Sequence, residues 1–284
     1  MENIYPHLRE DYKRIYKTVD DSQFKSLDII CYDDVLKAHY LLVDYFHQEG
    51  EQLVYGVKDL NILGSALGRQ IVGFGSNNKW QKKEELCATL FYGLIKNYAF
   101  HDGNKRTALL ILLFQLQKYG KTITIPQKEL ELLAVRVAAS DLKSYTKFSK
   151  YVDEDDAEVK FLADFIRNST RNIDRTTYLV TYQELNTLLR KYDYFLEDAS
   201  GNYINVMKSI PAKLFTKGKK VKVLQIGFGG WKRQVHPKAL KEVLKATKLT
   251  AQNGFDSQVF FKGADPLPAL IDIYSGPLRR LKDK

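Results

Sequence analysis

The chain has 284 residues, carries a formal net charge of +10, and is 44% hydrophobic by composition. This length allows two domains, and the apolar share is enough to build buried cores. No apolar stretch reaches the ~18 residues of a membrane span, and the start of the chain is polar and charged rather than like a signal peptide. Because Cys31 and Cys87 also lack the spacing of a disulfide pair or a metal site, we expect a reduced, cytoplasmic protein.

The positive charge is concentrated in the second half. Residues 1–170 carry 23 Lys+Arg and 24 Asp+Glu, whereas residues 171–284 carry 21 and 10. A split of this kind predicts two domains with different partners. A polyanion, either RNA or DNA, is the first candidate partner of the second half, and a basic surface kept for solubility is the alternative.

The first third of the chain is predicted to be helical. Residues 32–34 have the character of a helix start, and apolar residues follow them at helical spacing. Residues 68–79 are rich in Gly, Ser and Asn, which predicts a loop or a short hairpin. Residues 80–98 are then predicted to form an amphipathic helix.

Residues 98–107, YAFHDGNKRT, place a carboxylate, a glycine, an amide and two cations directly before an apolar helix. A helix start favours anions because its first N–H groups have no helical acceptors and its dipole is positive there. Gly103 allows close approach of a ligand, and Asp102 offers oxygen to a hard cation such as Mg²⁺. Lys105 and Arg106 can grip phosphates. The pattern favours a phosphate-transfer site, and an ordinary polar turn is the alternative.

Helices continue after this run. The motif helix is predicted over residues 104–119, and Pro126 is placed in the first turn of the next helix. The acidic run at residues 153–156 is predicted to be a solvated linker, with a further helix at 157–168. The predicted organisation is an extension (1–30), a first domain (31–152), a linker (153–176) and a basic domain (177–284).

The run at 98–107 resembles the signature of the Fic/Doc family. Lys105 indicates the Doc branch, since the Fic branch usually has glycine there. An upstream block, Gly56-Val57-Lys58-Asp59 followed by Ser65-Ala66-Leu67 and Arg69, is also similar to the family, although Gly64 stands where the family usually has Glu. The matching motif residues are Phe100, Asp102, Gly103, Asn104, Lys105, Arg106 and Thr107.

The resemblance implies a mainly α-helical Fic/Doc-like bundle with a short flap hairpin at residues 68–79, where target chains dock by strand pairing. It implies transfer of a phosphate or nucleotidyl group from ATP to a protein hydroxyl in a toxin–antitoxin system, with an antitoxin as a further partner. Asp102 would bind Mg²⁺. The nucleotide would be held by Gly103, Asn104, Lys105, Arg106 and Thr107.

One residue departs from the family pattern in a way that matters for chemistry. The family's first motif residue is a histidine that takes the proton from the target hydroxyl, and here it is Tyr98. Histidine is available as a base at neutral pH, whereas tyrosine ordinarily titrates near pH 10. Tyr98 is therefore a specialised base, an acceptor of the transferred group, or the mark of a site that binds nucleotide without efficient turnover. In the last case the chain is a scaffold that acts as a nucleic-acid-binding or antitoxin-like regulator.

The second half is predicted to be a smaller α+β domain. Thr181 and Glu184 form a capping-box pattern, three strands follow, and Pro237 opens another helix, with His236 as a cap. This order resembles the HicA-type toxin domain, a relative of double-stranded-RNA-binding domains, but its catalytic histidine is missing from the turn at residues 201–203. Candidate nucleic-acid contacts are Lys217, Lys219, Lys220, Lys222, Lys232 and Arg233, together with Lys238 and Lys241.

Overall fold

A computed structural model describes residues 4–27, 29–74, 77–172, 179–210, 218–250 and 265–282. The chain divides into two compact units. Unit 1 comprises Met1–Ile173 and Tyr274–Lys284, and unit 2 comprises Asp174–Ile273. The multi-domain prediction, a helical bundle followed by a smaller α+β domain, is confirmed.

Unit 1 is built around a helix that is apolar on all sides. This helix, Asn104–Lys118, buries most of its residues, because no face of it is given over to charged side chains. The predicted range for it, 104–119, agrees to within one residue. The helices of unit 1 before unit 2 are α1 (Pro6–Tyr16), α2 (Ser22–Ser26), α3 (Tyr32–Gln48), α4 (Leu60–Gly68), α5 (Lys83–Asn97), α6 (Asn104–Lys118), α7 (Gln127–Ala138) and α8 (Ala157–Asn168).

Two predicted details of unit 1 are refined. The residues 68–79 do contain a hairpin, in which β1 (Gly73–Phe74) pairs antiparallel with β2 (Asn77–Asn78). The tip at residues 75–76 lies outside the described residues. Pro126 precedes the helix as its N-cap rather than standing in its first turn, because α7 begins at Gln127. A second small pair joins β3 (Lys121–Ile123) to β4 (Thr170–Asn172).

Unit 2 has the predicted order of helix, three strands and helix. Its elements are α9 (Tyr182–Arg190), β5 (Tyr194–Ser200), β6 (Tyr203–Ile210), β7 (Lys219–Gly227), α10 (Pro237–Ala246) and α11 (Leu267–Ile273). The strands form one antiparallel sheet in the order β5-β6-β7. Apolar residues from both helices and the sheet make a separate core that includes Leu185, Ile204 and Val243.

Local capping signals in unit 2 fold as predicted. Thr181 caps α9, and the Glu184 carboxylate accepts from the Thr181 N–H at 2.9 Å. The Nδ1 atom of His236 accepts from the Lys238 N–H at 3.3 Å, which confirms His236 as the cap of α10. The resemblance of unit 2 to HicA-type domains stays a prediction.

The final described helix, α12 (Ser275–Arg280), belongs to unit 1. The predicted basic domain extended over 177–284, whereas residues 274–282 pack with the first unit because α12 lies against α6 and α7. We name Tyr274–Lys282 the return segment. Within the described part of the chain, every helix is too short or too polar to cross a membrane.

Candidate active site

The loop between α5 and α6 begins with a strained residue. Tyr98 adopts φ 53° and ψ 49°, the left-handed region that residues with a Cβ seldom occupy. The residue is 44% exposed and is not part of the buried core. Such strain costs on the order of 1 kcal/mol and persists only where the surroundings fix the backbone. Tyr98 is therefore held at the surface of the loop, where its hydroxyl can be reached by another molecule.

The backbone of this loop is fixed by an adjacent segment. The Lys58 N–H donates to the Ala99 carbonyl at 2.7 Å, and the His101 N–H donates to the Gly56 carbonyl at 3.2 Å. Val57 and Phe100 form an antiparallel bridge between these bonds. The upstream block singled out in the sequence thus supports the motif loop directly.

Asn104 closes the loop on itself. Its Nδ2 atom donates to the Phe100 carbonyl at 3.0 Å, and its Oδ1 atom accepts from the Phe100 N–H at 2.9 Å. Asn104 is buried. The predicted nucleotide contact is therefore used inside the loop, where it sets the direction in which α6 starts.

Asp102 and Gly103 lie at the start of α6. Gly103 has φ +75°, and the Asp102 Oδ1 atom accepts from the Gly103 N–H at 2.5 Å. Among the described residues, no group of three or more His, Cys, Asp or Glu side chains could hold a metal ion. A single carboxylate still fits Mg²⁺, which keeps several waters and binds through one or two carboxylates plus phosphates. Asp102 is the residue of this loop that would hold the ion.

Thr107 faces the core and contacts a histidine that the sequence analysis missed. Burial lowers the pKa of His39 to about 3, so its imidazole is neutral. The Nε2 atom accepts from the Gly56 N–H at 3.2 Å, which leaves the proton on Nδ1 for the Thr107 hydroxyl at 3.2 Å. His39 also stacks on Phe100, with ring centroids 4.1 Å apart. Thr107 is fully buried, and its predicted role in nucleotide binding stays a prediction.

Arg106 is buried as well, with 1% of its side chain exposed. Its Nη2 atom donates to Glu51 Oε1 at 2.6 Å and to the Arg279 carbonyl at 3.1 Å. The guanidinium lies over the Phe46 ring, 4.6 Å from its centroid. Burial raises the pKa of the Glu51 carboxyl, but Arg106 and Lys282 outweigh burial and leave that pKa below its usual value. In this conformation Arg106 is occupied by protein groups rather than exposed to a phosphate.

An open cavity of about 930 Å³ adjoins the loop. Leu53 connects the two, since a Cβ at Gly103 would lie 3.5 Å from the Leu53 Cδ2 atom. The cavity has the size of a small-molecule site. Its lining is largely aromatic and includes Tyr5, His7, His47, Leu53, Val54 and Tyr55.

The departure of Gly64 from the family pattern has a steric reason. A Cβ at Gly64 would collide with the Tyr32 hydroxyl. A Glu at this position would therefore require Tyr32 to move. The nearby Arg69 packs on α5 instead of entering the loop, with its Nε atom donating to Thr89 Oγ1 at 3.3 Å.

The predicted nucleic-acid contacts of unit 2 do not form one surface of available cations. Lys220 pairs with Glu197, and Arg233 pairs with Asp272 at 2.6 Å. Lys219 and Lys222 are exposed on β7, Lys232 is half-buried, and Lys217 lies outside the described residues. Two further predicted contacts, Lys238 and Lys241, share one face of α10 with Lys245 at helical spacing.

Comparison with known proteins supports the interpretation of unit 1. No curated protein gives a significant match to the chain. The model of the Fic/DOC family matches residues 29–116, a range that contains the supporting segment, the motif loop and nearly all of α6. Residues 29–116 are therefore similar to the Fic/DOC family.

Proposed function

We propose that unit 1 transfers a phosphate-containing group from a nucleotide to a protein hydroxyl. The observation that carries this proposal is the loop itself, in which Asp102, Gly103 and Lys105 lie at the start of α6 while Tyr98 is exposed at the other end of the loop. The family match over residues 29–116 supports it. A toxin-like system with an antitoxin partner fits this activity.

The phosphates of the nucleotide would lie at the helix start, where the dipole and the Lys105 charge favour them. Mg²⁺ held by Asp102 would neutralise charge that develops on the phosphate oxygens. The target hydroxyl oxygen attacks the γ-phosphorus, the bond to ADP breaks, and ADP leaves with the bonding electrons. Attack at the α-phosphorus would release pyrophosphate instead. Lys105, as the residue typical of the Doc branch, favours the first course.

The proton of the target hydroxyl needs an acceptor. A tyrosine can take it only as the phenolate. If Tyr98 is itself the nucleophile, its oxygen forms the bond to phosphorus and its own proton is lost. If neither occurs, the loop binds nucleotide and releases it unchanged.

Intact-mass measurement after incubation with ATP and Mg²⁺ tests the proposal. The mass of an added phosphate indicates phosphate transfer, the mass of an added adenylyl group indicates nucleotidyl transfer, and an unchanged mass indicates no reaction. The measurement is made on the chain itself and on candidate targets. Lys105→Ala should weaken ATP binding by roughly 10- to 100-fold, because it removes a charge-assisted hydrogen bond to phosphate. Lys128→Ala, an equal charge change on an exposed face of α7, is the control. If the wild type and Lys105→Ala bind ATP with equal affinity, the proposal of a nucleotide site at the start of α6 is wrong.

A second candidate function, nucleic-acid binding by unit 2, is favoured by one observation. Lys238, Lys241 and Lys245 are exposed on one face of α10, and no carboxylate within the described residues pairs with them. Binding of duplex RNA to the full chain should weaken steeply with salt. The Lys→Ala triple variant should lower the salt slope by about 1 for each of the three lysines that neutralises a phosphate.

The control for this second function is a triple variant with the same charge change in unit 1, Lys128→Ala, Lys147→Ala and Lys150→Ala. It should bind RNA as the wild type does. If the two triple variants show the same dependence of RNA affinity on salt, the α10 lysines do not contribute to RNA binding.

A further inference from the structure

Unit 2 exposes large aromatic side chains at one end of its sheet. Tyr203, the first residue of β6, is 56% exposed, and Trp231, in the loop that follows β7, is 41% exposed. Tyr203 lies directly opposite Gly227 in the pairing of β6 with β7. Because opposite residues point to the same face of a sheet and glycine has no side chain, β7 places nothing beside the Tyr203 ring at that position. Both aromatic residues therefore keep surface that another molecule can contact.

The loop that carries Trp231, residues 228–233, is held by its backbone. The Trp231 carbonyl accepts from the Gln183 N–H at 2.9 Å, and the Arg233 carbonyl accepts from the Tyr182 N–H at 3.1 Å. These bonds join the loop to the first turn of α9. The Trp231 side chain is therefore presented on a fixed backbone, and the bonds that fix it do not depend on the ring.

Phe228 connects the exposed rings to the core of unit 2. Its ring is half-buried and makes edge-on contacts with Tyr182 and Trp231, at centroid distances of 5.1 Å and 5.3 Å. Its N–H donates to the Asn202 carbonyl at 2.7 Å, which ties the loop to the turn before β6. We name Tyr203, Phe228 and Trp231 the aromatic platform.

The surroundings of the aromatic platform favour an anionic ligand over an apolar one. Residues 201–203 and 227–233 contain no aliphatic residue, and apart from the rings they are glycine, Asn202, Lys232 and Arg233. Arg233 pairs with Asp272 and still keeps 48% of its side chain exposed. Unit 2 as a whole, residues 174–273, carries 16 Lys+Arg and 9 Asp+Glu, so its field attracts polyanions.

We propose that the aromatic platform stacks unpaired bases of a single-stranded nucleic acid. Proteins that bind single strands combine aromatic side chains, on which bases stack, with cations that follow the phosphates. Bases inside a blunt duplex are stacked on each other and are not available to the rings. The platform thus differs from the α10 lysines, whose contacts to phosphate do not require an unpaired base. The inference is also independent of the transfer reaction proposed for unit 1.

Substitution of Trp231 in the full chain separates stacking from charge. The probes are a short single-stranded RNA of mixed sequence and the blunt duplex of the same sequence, with affinity measured by fluorescence anisotropy. Trp231→Ala should weaken binding of the single strand roughly 5- to 150-fold and leave binding of the duplex unchanged. Trp231→Phe should keep most of the affinity, because it keeps a ring.

Val221→Ala is the matched control, since it shortens an exposed apolar side chain of β7 that has no ring. It should bind both probes as the wild type does. Circular dichroism checks that the variants keep their fold.

The emission of Trp231 reports stacking directly. The chain has two tryptophans, so Trp231 is the only one left in a Trp80→Phe background. The single strand should quench its fluorescence, whereas the duplex should not. Binding of the single strand without quenching, or an equal loss of single-strand and duplex affinity in Trp231→Ala, overturns the proposal. No binding of the single strand to the wild type also overturns it and leaves the aromatic platform to a protein partner.

Discussion

At the scale of single residues, the motif loop separates its exposed members from its buried ones. Tyr98 is exposed and Asp102 and Lys105 are half-buried, whereas Asn104 and Arg106 are buried. The first three residues keep surface that a ligand can contact. The buried set holds the loop in the form that presents the others.

The hydroxyl of Tyr98 can be tested by opposite substitutions. If the site depends on a tyrosine, Tyr98→Phe should lose transfer while keeping nucleotide affinity. If Tyr98 replaces a lost histidine, Tyr98→His should raise transfer, because imidazole is available as a base at pH 7. Transfer rates and calorimetry of all three proteins measure both effects, and tandem mass spectrometry shows whether Tyr98 becomes modified. Wild-type transfer in both variants would leave Tyr98 without a catalytic role.

Asn104 should be mainly a stability residue. Asn104→Ala removes the partners of both the N–H and the carbonyl of Phe100, which is expected to cost about 2–4 kcal/mol of unfolding free energy. Chemical denaturation followed by the fluorescence of Trp80, in a Trp231→Phe background, reports on unit 1. Asn61→Ala, at an exposed position of α4, should change little. Equal destabilisation by the two variants would contradict the role given to Asn104.

At the scale of elements, features that depend on residues close in sequence were predicted, whereas contacts between residues far apart in sequence were not. The capping box at Thr181 and the start of α10 depend on residues three or fewer positions apart, so the sequence displays them. The burial of Arg106 depends on Glu51, 55 residues away, and on Arg279, 173 residues away. No periodicity reveals such pairs. His39 was missed for the same reason, because it stands among the apolar residues of α3 and its partners lie elsewhere in the chain.

The capping box of α9 makes unit 2 sensitive to pH. Burial raises the pKa of Glu184 to about 7, although its bonds to Thr181 oppose this. The folded state therefore holds a proton that the unfolded state loses near pH 4.5, so stability falls as pH rises from about 4.5 to about 7. The expected loss from this group is about 1–3 kcal/mol.

Trp231 fluorescence in a Trp80→Phe background follows this pH dependence in unit 2. Glu184→Gln should flatten the dependence, because the amide does not titrate. Glu242→Gln, at an exposed position on α10, is the control and should leave it unchanged. A slope that survives Glu184→Gln would assign the pH dependence to another group.

At the scale of the whole molecule, the chain leaves unit 1, builds unit 2 and returns to unit 1. Two buried leucines only 11 positions apart therefore belong to different units. Leu267 is buried in α11 of unit 2, and Leu278 is buried in α12 of unit 1. The sequence-based prediction assigned both leucines to the basic domain, because they are close together in the chain.

Alanine substitutions at these two leucines should each destabilise a different unit. Leu278→Ala should lower the unfolding free energy of unit 1 by about 2–4 kcal/mol, as seen by Trp80, and leave the Trp231 transition in place. Leu267→Ala should do the reverse. If each variant shifts both transitions equally, the units do not unfold separately and the division of the chain fails as a thermodynamic description.

The return of the chain also reverses the usual order in which domains mature during translation. Domains generally fold in the order in which they leave the ribosome. Residues 275–281 are synthesised after the whole of unit 2, so unit 2 has its complete core before unit 1 gains Leu278, Leu281 and the Arg279 carbonyl. While it is being made, unit 1 therefore lacks the Arg279 carbonyl that accepts from the Arg106 Nη2 atom in the folded protein.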